Sequence, residues 1–223
     1  MLASMTFVMM VLSLYMTFIY APTEETMGDV QRIFYFHVPL AWVAFFAFFI
    51  VFIASIGYLW QEKRKGDYLK WDILSYCSAE IGIIFCTLVL VTGSIWAKAV
   101  WGTWWTWDPR LTTTLVLWLL YIAYLLLRFY IPELARRARF SAVYGIIAFI
   151  DVPIVWMSIR WWRTIHPVVF YTKKMTIEPS MFYTLSVCLI AVTLLYIFLL
   201  KERVAIRKMN NELEILKQGR KKG

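Results

Sequence analysis

The residues of this chain best suited to bind a ligand are its two histidines and a short segment rich in tryptophan. Between two apolar runs lie Trp101, Trp104, Trp105, Trp107, Asp108 and Arg110. His37 and His166 also lie in breaks between apolar runs. Imidazole binds metals, indole rings pack against flat molecules, and guanidinium groups pair with carboxylates. Together these residue types predict a site for a flat, anionic ligand with a metal at its centre.

Long runs without charge indicate what kind of protein positions these residues. The chain has 223 residues and is 61% hydrophobic, which is more apolar surface than one soluble core hides. About 20 apolar residues cross a bilayer as a helix. The sequence therefore predicts an all-α integral membrane protein, a bundle of six transmembrane helices at about residues 2–21, 39–61, 73–97, 111–128, 140–159 and 180–200.

The basic residues predict the orientation of this bundle. Most of the 23 Lys and Arg residues lie in connections on the same side as both termini, and such residues concentrate on the cytoplasmic side. We therefore expect cytoplasmic N- and C-termini, a membrane domain over residues 1–200 and a basic cytoplasmic tail over residues 201–223. The connections that carry the histidines and tryptophans then open at the outer face. The expected partner of the cytoplasmic basic residues is membrane lipid, not nucleic acid.

A heme is the ligand that best fits the two histidines. Neutral imidazole is an axial ligand of heme iron, and two separate segments can supply one imidazole each. His37 lies at the expected start of the second helix, and the proline after His166 favours extended backbone there. The three cysteines lie in predicted helices without a Cys-x-x-Cys-His motif, so the expected cofactor is non-covalent heme b. As an alternative, each histidine is an ordinary hydrogen-bonding residue at the membrane interface.

The tryptophan segment has two interpretations. The spacing i, i+3, i+4, i+7 of one helix face is shared by Trp101, Trp104, Trp105 and Asp108, so a short helix lying flat on the surface would present one stripe to the ligand. Gly102 and Thr103 are small enough to let a large ring approach. The alternatives are an interfacial tryptophan belt and a capping role for Asp108. Further candidate ligand contacts are Arg110, Arg32, Trp161, Trp162 and Arg163.

Three segments carry a resemblance to a known family. Residues 101–112 resemble the WWD signature of heme-handling proteins of cytochrome c maturation, and residues 32–39 and 161–167 resemble the two histidine segments of heme exporter protein C, the CcmC type. The likeness covers nearly the whole chain. It implies a heme-transfer protein, not an enzyme, in the bacterial inner membrane. His37 and His166 would be the axial ligands, with the WWD segment beside them and Arg32 as an auxiliary contact to a propionate.

The same resemblance implies partners. Heme would pass to a periplasmic heme chaperone of the CcmE type, beside ABC transporter subunits of the CcmA and CcmB type and a single-span protein of the CcmD type. Two other functions stay open. One is a bis-histidine electron-transfer cytochrome of the membrane. The other is a heme permease, for which Glu80 and Asp151 are the acidic residues within the predicted spans.

Overall fold

Helices make up nearly all of the chain that the structure describes. This computed structural model describes residues 1–64, 66–166 and 178–220. The helices are α1 (Leu2–Tyr15), α2 (Phe34–Lys63), α3 (Leu69–Trp101), α4 (Pro109–Tyr130), α5 (Leu134–Phe149), α6 (Asp151–Trp161) and α7 (Pro179–Arg220). A π-helical turn, Met16–Tyr20, extends α1, and a 3₁₀ turn, Asp29–Ile33, leads into α2.

The described helices form six segments that are long and apolar enough to cross a membrane. They are Leu2–Tyr20, Asp29–Lys63, Leu69–Trp101, Pro109–Tyr130, Leu134–Trp161 and Pro179–Asn210. The predicted fold class, an all-α membrane bundle with six spans, is confirmed.

Two helices extend beyond the spans predicted from the charge pattern. Helix α2 begins at Phe34 and contains Pro39 as its sixth residue. His37 therefore lies in the first turn of α2. Helix α7 continues through the expected tail to Arg220, since its polar residues are good helix formers.

The fifth span consists of two helices. Helix α5 ends at Phe149 and α6 begins at Asp151. Pro153 lacks an N–H group and would clash with the carbonyl of Phe149, four residues before it, which favours a kink or break in the helix at this point. The Oδ2 atom of Asp151 is buried at the break and has no hydrogen-bond partner among the described residues.

Helix α2 is the centre of the bundle and packs against α3, α5 and α7. The rings of Phe48 on α2 and Tyr121 on α4 stack with centroids 3.6 Å apart, and both side chains are fully buried. A Cβ atom at Gly82 on α3 would lie 2.7 Å from the Phe48 ring. Small residues let membrane helices approach closely, so this glycine permits the tight contact of α3 with α2.

The segments with the candidate site residues meet at one end of the bundle. Helix α2 begins near His37, α3 ends at Trp101, α4 begins beside Arg110, and α6 ends five residues before His166. One cavity touches all four of these residues. The fold therefore brings together segments that are far apart in the sequence.

Candidate functional site

A cavity of about 350 Å³ lies where these four segments meet. Both histidines line it, and so do Trp101, Trp105 and Arg110. Most of the remaining wall is apolar, with Phe34, Val38, Phe45, Val89 and Leu90 among its residues. Pockets of roughly 300–1,000 Å³ with apolar walls and a few polar groups are typical of small-molecule sites.

The imidazole of His37 is held by a threonine on the neighbouring helix. The Nδ1 atom of His37 lies 2.9 Å from Oγ1 of Thr92. That hydroxyl donates its single hydrogen to the carbonyl of Leu88, at 2.7 Å, so towards His37 it acts as an acceptor. His37 Nδ1 therefore carries the proton, and Nε2 keeps a lone pair. This is the tautomer that binds a metal through Nε2.

Gly93, next to Thr92, makes room for the same ring. A Cβ atom at this position would lie 3.1 Å from Cε1 of His37, which is closer than ordinary van der Waals contact. Thr92 and Gly93 together let the imidazole lie against α3 in one orientation. The histidine is thus placed by α3 as much as by its own helix.

Asp108 connects the start of α4 to the segment that carries His166. Its carboxylate caps α4 by accepting a hydrogen bond from the Arg110 N–H group at 2.9 Å. It also accepts bonds from Oγ1 of Thr164 at 2.8 Å and from the N–H group of Ile165 at 3.0 Å. The N–H group of His166 in turn donates to Oγ1 of Thr164 at 3.0 Å. Asp108 is buried and does not line the cavity, so its geometry is that of a cap and a connector.

Arg110 supplies a cation at the cavity wall. One guanidinium nitrogen donates a hydrogen bond of 2.7 Å to the carbonyl of Val155 on α6. A guanidinium group has five N–H donors, and this is its only hydrogen bond to the described part of the protein. The remaining donors suit a carboxylate in the cavity.

The tryptophan segment is not helical, so the hypothesis of a short surface helix is wrong. Helix α3 continues to Trp101 and ends at Gly102, whose φ of +75° is the left-handed conformation that favours glycine. No helix is assigned between there and Pro109. Gly102 therefore ends a helix and does not line the cavity, and Thr103 donates to the carbonyl of Trp105 at 3.1 Å.

The tryptophans divide into two sets. Trp101 and Trp105 line the cavity, and Trp96, which the sequence analysis missed, lines it too and packs edge-on against Trp101. Trp104 and Trp107 face outward, with 58% and 76% of their surface exposed. One set can contact a ligand, and the other can contact a partner.

Four other candidate residues do not line the cavity. Arg32 donates to the Asp29 carboxylate at 2.9 Å and to the carbonyl of Thr17, so it ties the turn before α2 to the end of α1. The others lie exposed before His166: Trp161, Trp162 and Arg163. The residues that sequence reasoning missed are Thr92, Gly93, Trp96 and Thr164. Only Trp96, within two turns of Trp101 on α3, gave a signal that could have been noticed.

A family model described as heme exporter protein C matches residues 1–218 of the chain. The chain belongs to the heme exporter protein C family. The resemblance drawn from three sequence segments is thereby confirmed. The matched range includes both histidines and every residue of the cavity wall. This family membership and the six apolar spans make the chain a multi-pass membrane protein.

Relatives of known sequence agree with this membership in the heme exporter protein C family. The heme exporter protein C of Bradyrhizobium diazoefficiens is 34% identical over 201 residues, which are 89% of this chain and 74% of that protein. That of Escherichia coli K12 is 34% identical over 213 residues, 91% of this chain and 83% of that protein. A putative cytochrome c biosynthesis ccmC-like mitochondrial protein from Marchantia polymorpha is 32% identical over 155 residues, 70% of this chain and 63% of that protein.

Proposed function

We propose that this protein binds one non-covalent heme b in the histidine cavity, with His37 and His166 as axial ligands. The observation that carries the proposal is that two histidines 129 positions apart in sequence line one apolar cavity. His37 keeps its Nε2 lone pair for iron because its Nδ1–H group donates a hydrogen bond to Thr92. The sequence has no Cys-x-x-Cys-His motif for covalent attachment, which supports non-covalent binding.

The cavity residues fit the other parts of the same molecule. Heme supplies an iron that accepts two axial nitrogen ligands, and its propionates carry negative charge. Trp101 and Trp105 provide aromatic surface for a flat ring. Arg110 lines the cavity and has guanidinium donors beyond its bond to Val155, so it is the residue that would pair with a propionate.

We further propose that the heme is delivered to a periplasmic chaperone of the CcmE type for cytochrome c maturation. The exposed indoles of Trp104 and Trp107 follow directly on the cavity segment, and those of Trp161 and Trp162 precede His166. Exposed apolar groups of this kind indicate a surface for a partner. The cavity then faces the periplasm, both termini are cytoplasmic, and the protein lies in the bacterial inner membrane. Subunits of the CcmA, CcmB and CcmD types are the proposed neighbours.

The first test is the optical spectrum of the full-length protein purified in detergent. We expect a six-coordinate heme in the native protein and loss or strong weakening of heme in His37→Ala and in His166→Ala, because one axial ligand is missing. Lys63→Ala, outside the cavity, is the control and keeps its heme. A double histidine variant with an unchanged six-coordinate spectrum would overturn the ligand assignment.

A second measurement separates transfer from electron transport. The native protein is co-expressed with a chaperone of the CcmE type, and the heme on the chaperone is quantified. Heme delivery predicts that the chaperone becomes loaded and that both histidine variants abolish loading. Normal loading by those variants, or a bound heme that never leaves the native protein, would favour an electron-transfer cytochrome instead.

A further inference from the structure

A second cavity lies at the opposite end of the bundle from the histidines. It measures about 520 Å³ and is bounded by α3, α4 and α7 beside the start of α5. Three arginines line it, one each from α4, α5 and α7: Arg128, Arg137 and Arg207. No Asp or Glu in the described part of the chain joins them in the wall. The wall is therefore positively charged at one end.

The ring of Tyr76 contacts two of these guanidinium groups. The Cζ atoms of Arg128 and Arg207 lie 4.8 Å and 5.0 Å from the centroid of its ring. Asp72 offsets the charge of Arg128, through hydrogen bonds of 2.6 Å and 2.9 Å. Like charges that line one cavity repel each other, and they do so more strongly where water is scarce. A negative group in the cavity would relieve that repulsion.

The remaining wall is apolar and faces outward. It consists of Ile122, Leu125, Leu126 and Phe129 on the last two turns of α4. Leu126 and Phe129 are 50% and 83% exposed, so this side of the cavity opens towards the space that lipid fills around the bundle. An occupant with an anionic head and apolar chains matches both halves of the cavity. A soluble anion matches only the arginines.

We propose that this cavity binds one anionic phospholipid of the surrounding bilayer. The phosphodiester lies among Arg128, Arg137 and Arg207, and the acyl chains lie along Leu125, Leu126 and Phe129. Basic pockets between membrane helices are suited to acidic headgroups, and the end of α4, with exposed Phe129 and Tyr130, has the aromatic residues typical of the headgroup level. The lipid would fasten α7 to α4 at the end of the bundle that the heme does not occupy.

The test measures lipid binding by full-length protein in detergent, as the shift of its thermal unfolding midpoint. The probes are phosphatidylglycerol, phosphatidylcholine and inorganic phosphate. We expect phosphatidylglycerol to raise the midpoint at concentrations where phosphatidylcholine and phosphate do not. Equal shifts with the two lipids would overturn the proposal in favour of general solvation, and a shift with phosphate alone would identify a soluble-anion site.

Variants test whether phosphatidylglycerol binds in this cavity. R137Q/R207Q is expected to weaken the affinity for phosphatidylglycerol by roughly thirtyfold, the factor for two basic contacts at a membrane surface. The matched control, R136Q/R139Q, removes the same charge from α5 outside the cavity and keeps the affinity. If the double variant does not fold, R207Q alone should lose roughly fivefold and R207K should retain binding. Equal loss in the control and the cavity variant would overturn the proposal.

Discussion

At the scale of single residues, one hydroxyl group decides which nitrogen of His37 faces the cavity. Thr92→Val keeps the shape of the side chain but removes the acceptor of the Nδ1 proton. The imidazole then loses its fixed tautomer, so we expect heme affinity to fall roughly tenfold or more, the usual cost of losing a hydrogen-bond partner of a metal ligand. We also expect a more positive midpoint potential for the heme that remains, because a ligand without this bond donates less electron density to iron. Heme titration and redox titration measure the two effects.

Two variants show whether the effect belongs to this hydrogen bond. Thr92→Ser retains the hydroxyl and should restore both affinity and potential. Thr193→Val removes a hydroxyl whose one hydrogen bond to the described residues stays within its own helix, at 2.7 Å to the Leu189 carbonyl, and should change neither. If Thr92→Ser behaved like Thr92→Val, the loss would have to be assigned to packing against α3.

At the scale of elements, the Asp108 carboxylate connects α4 to the His166 segment. Asp108→Ala removes a helix cap, worth about 1 kcal/mol, together with two hydrogen bonds to residues 164 and 165. We expect the variant to retain the His37 contact but lose that of His166, and so to have the spectrum of His166→Ala. Asp29→Ala, at the same end of the bundle with an exposed carboxylate, should keep the native spectrum. A six-coordinate spectrum in Asp108→Ala would contradict the connecting role.

The two sets of tryptophans should separate binding from delivery. Removing the lining pair, Trp101→Ala with Trp105→Ala, takes aromatic surface from the cavity and should lower heme occupancy. Removing the exposed pair, Trp104→Ala with Trp107→Ala, takes no residue from the cavity wall and costs Trp105 only its edge-on contact with Trp107. Occupancy should therefore fall less than with the lining pair, while chaperone loading fails. Pyridine hemochrome on matched protein and heme on the co-expressed chaperone give the two measurements. If both double variants changed heme occupancy and chaperone loading equally, these tryptophans would be assigned to an interfacial belt.

The sequence predicted the elements better than the local shape of the site. Charge-free runs specify membrane helices because the bilayer excludes charge, and alternating directions bring His37 and Trp101 to one end. The surface helix predicted from the tryptophan spacing was wrong, because Gly102 ends α3 at the point where the periodicity suggested a new helix. Thr92 and Gly93 gave no signal, since either residue is common within a membrane helix and only the neighbouring ring gives them a role.

At the scale of the whole molecule, a buried ion pair between Asp72 and Arg128 connects α3 to α4 away from the heme cavity. The side chains of Arg128 and Asp72 are 5% and 9% exposed. Asp72→Ala leaves the guanidinium group buried without its carboxylate, which should cost roughly 3–5 kcal/mol of unfolding free energy. Asp67→Ala breaks an exposed pair with Lys70, at 3.9 Å, and should cost less than about 1 kcal/mol. Thermal unfolding in detergent compares them, and similar losses would contradict the importance of the buried pair.

Helix α7 is much longer than a bilayer is thick. Its 42 residues span roughly 60 Å at the usual rise per residue, whereas the hydrocarbon layer measures about 30 Å. About half of the helix therefore projects into the aqueous phase as a rod. The backbone at its far end lies well beyond the roughly 8 Å over which surface electrostatics act in physiological salt. The expected contact of the basic tail with lipid headgroups is thus confined to the part of α7 nearest the membrane.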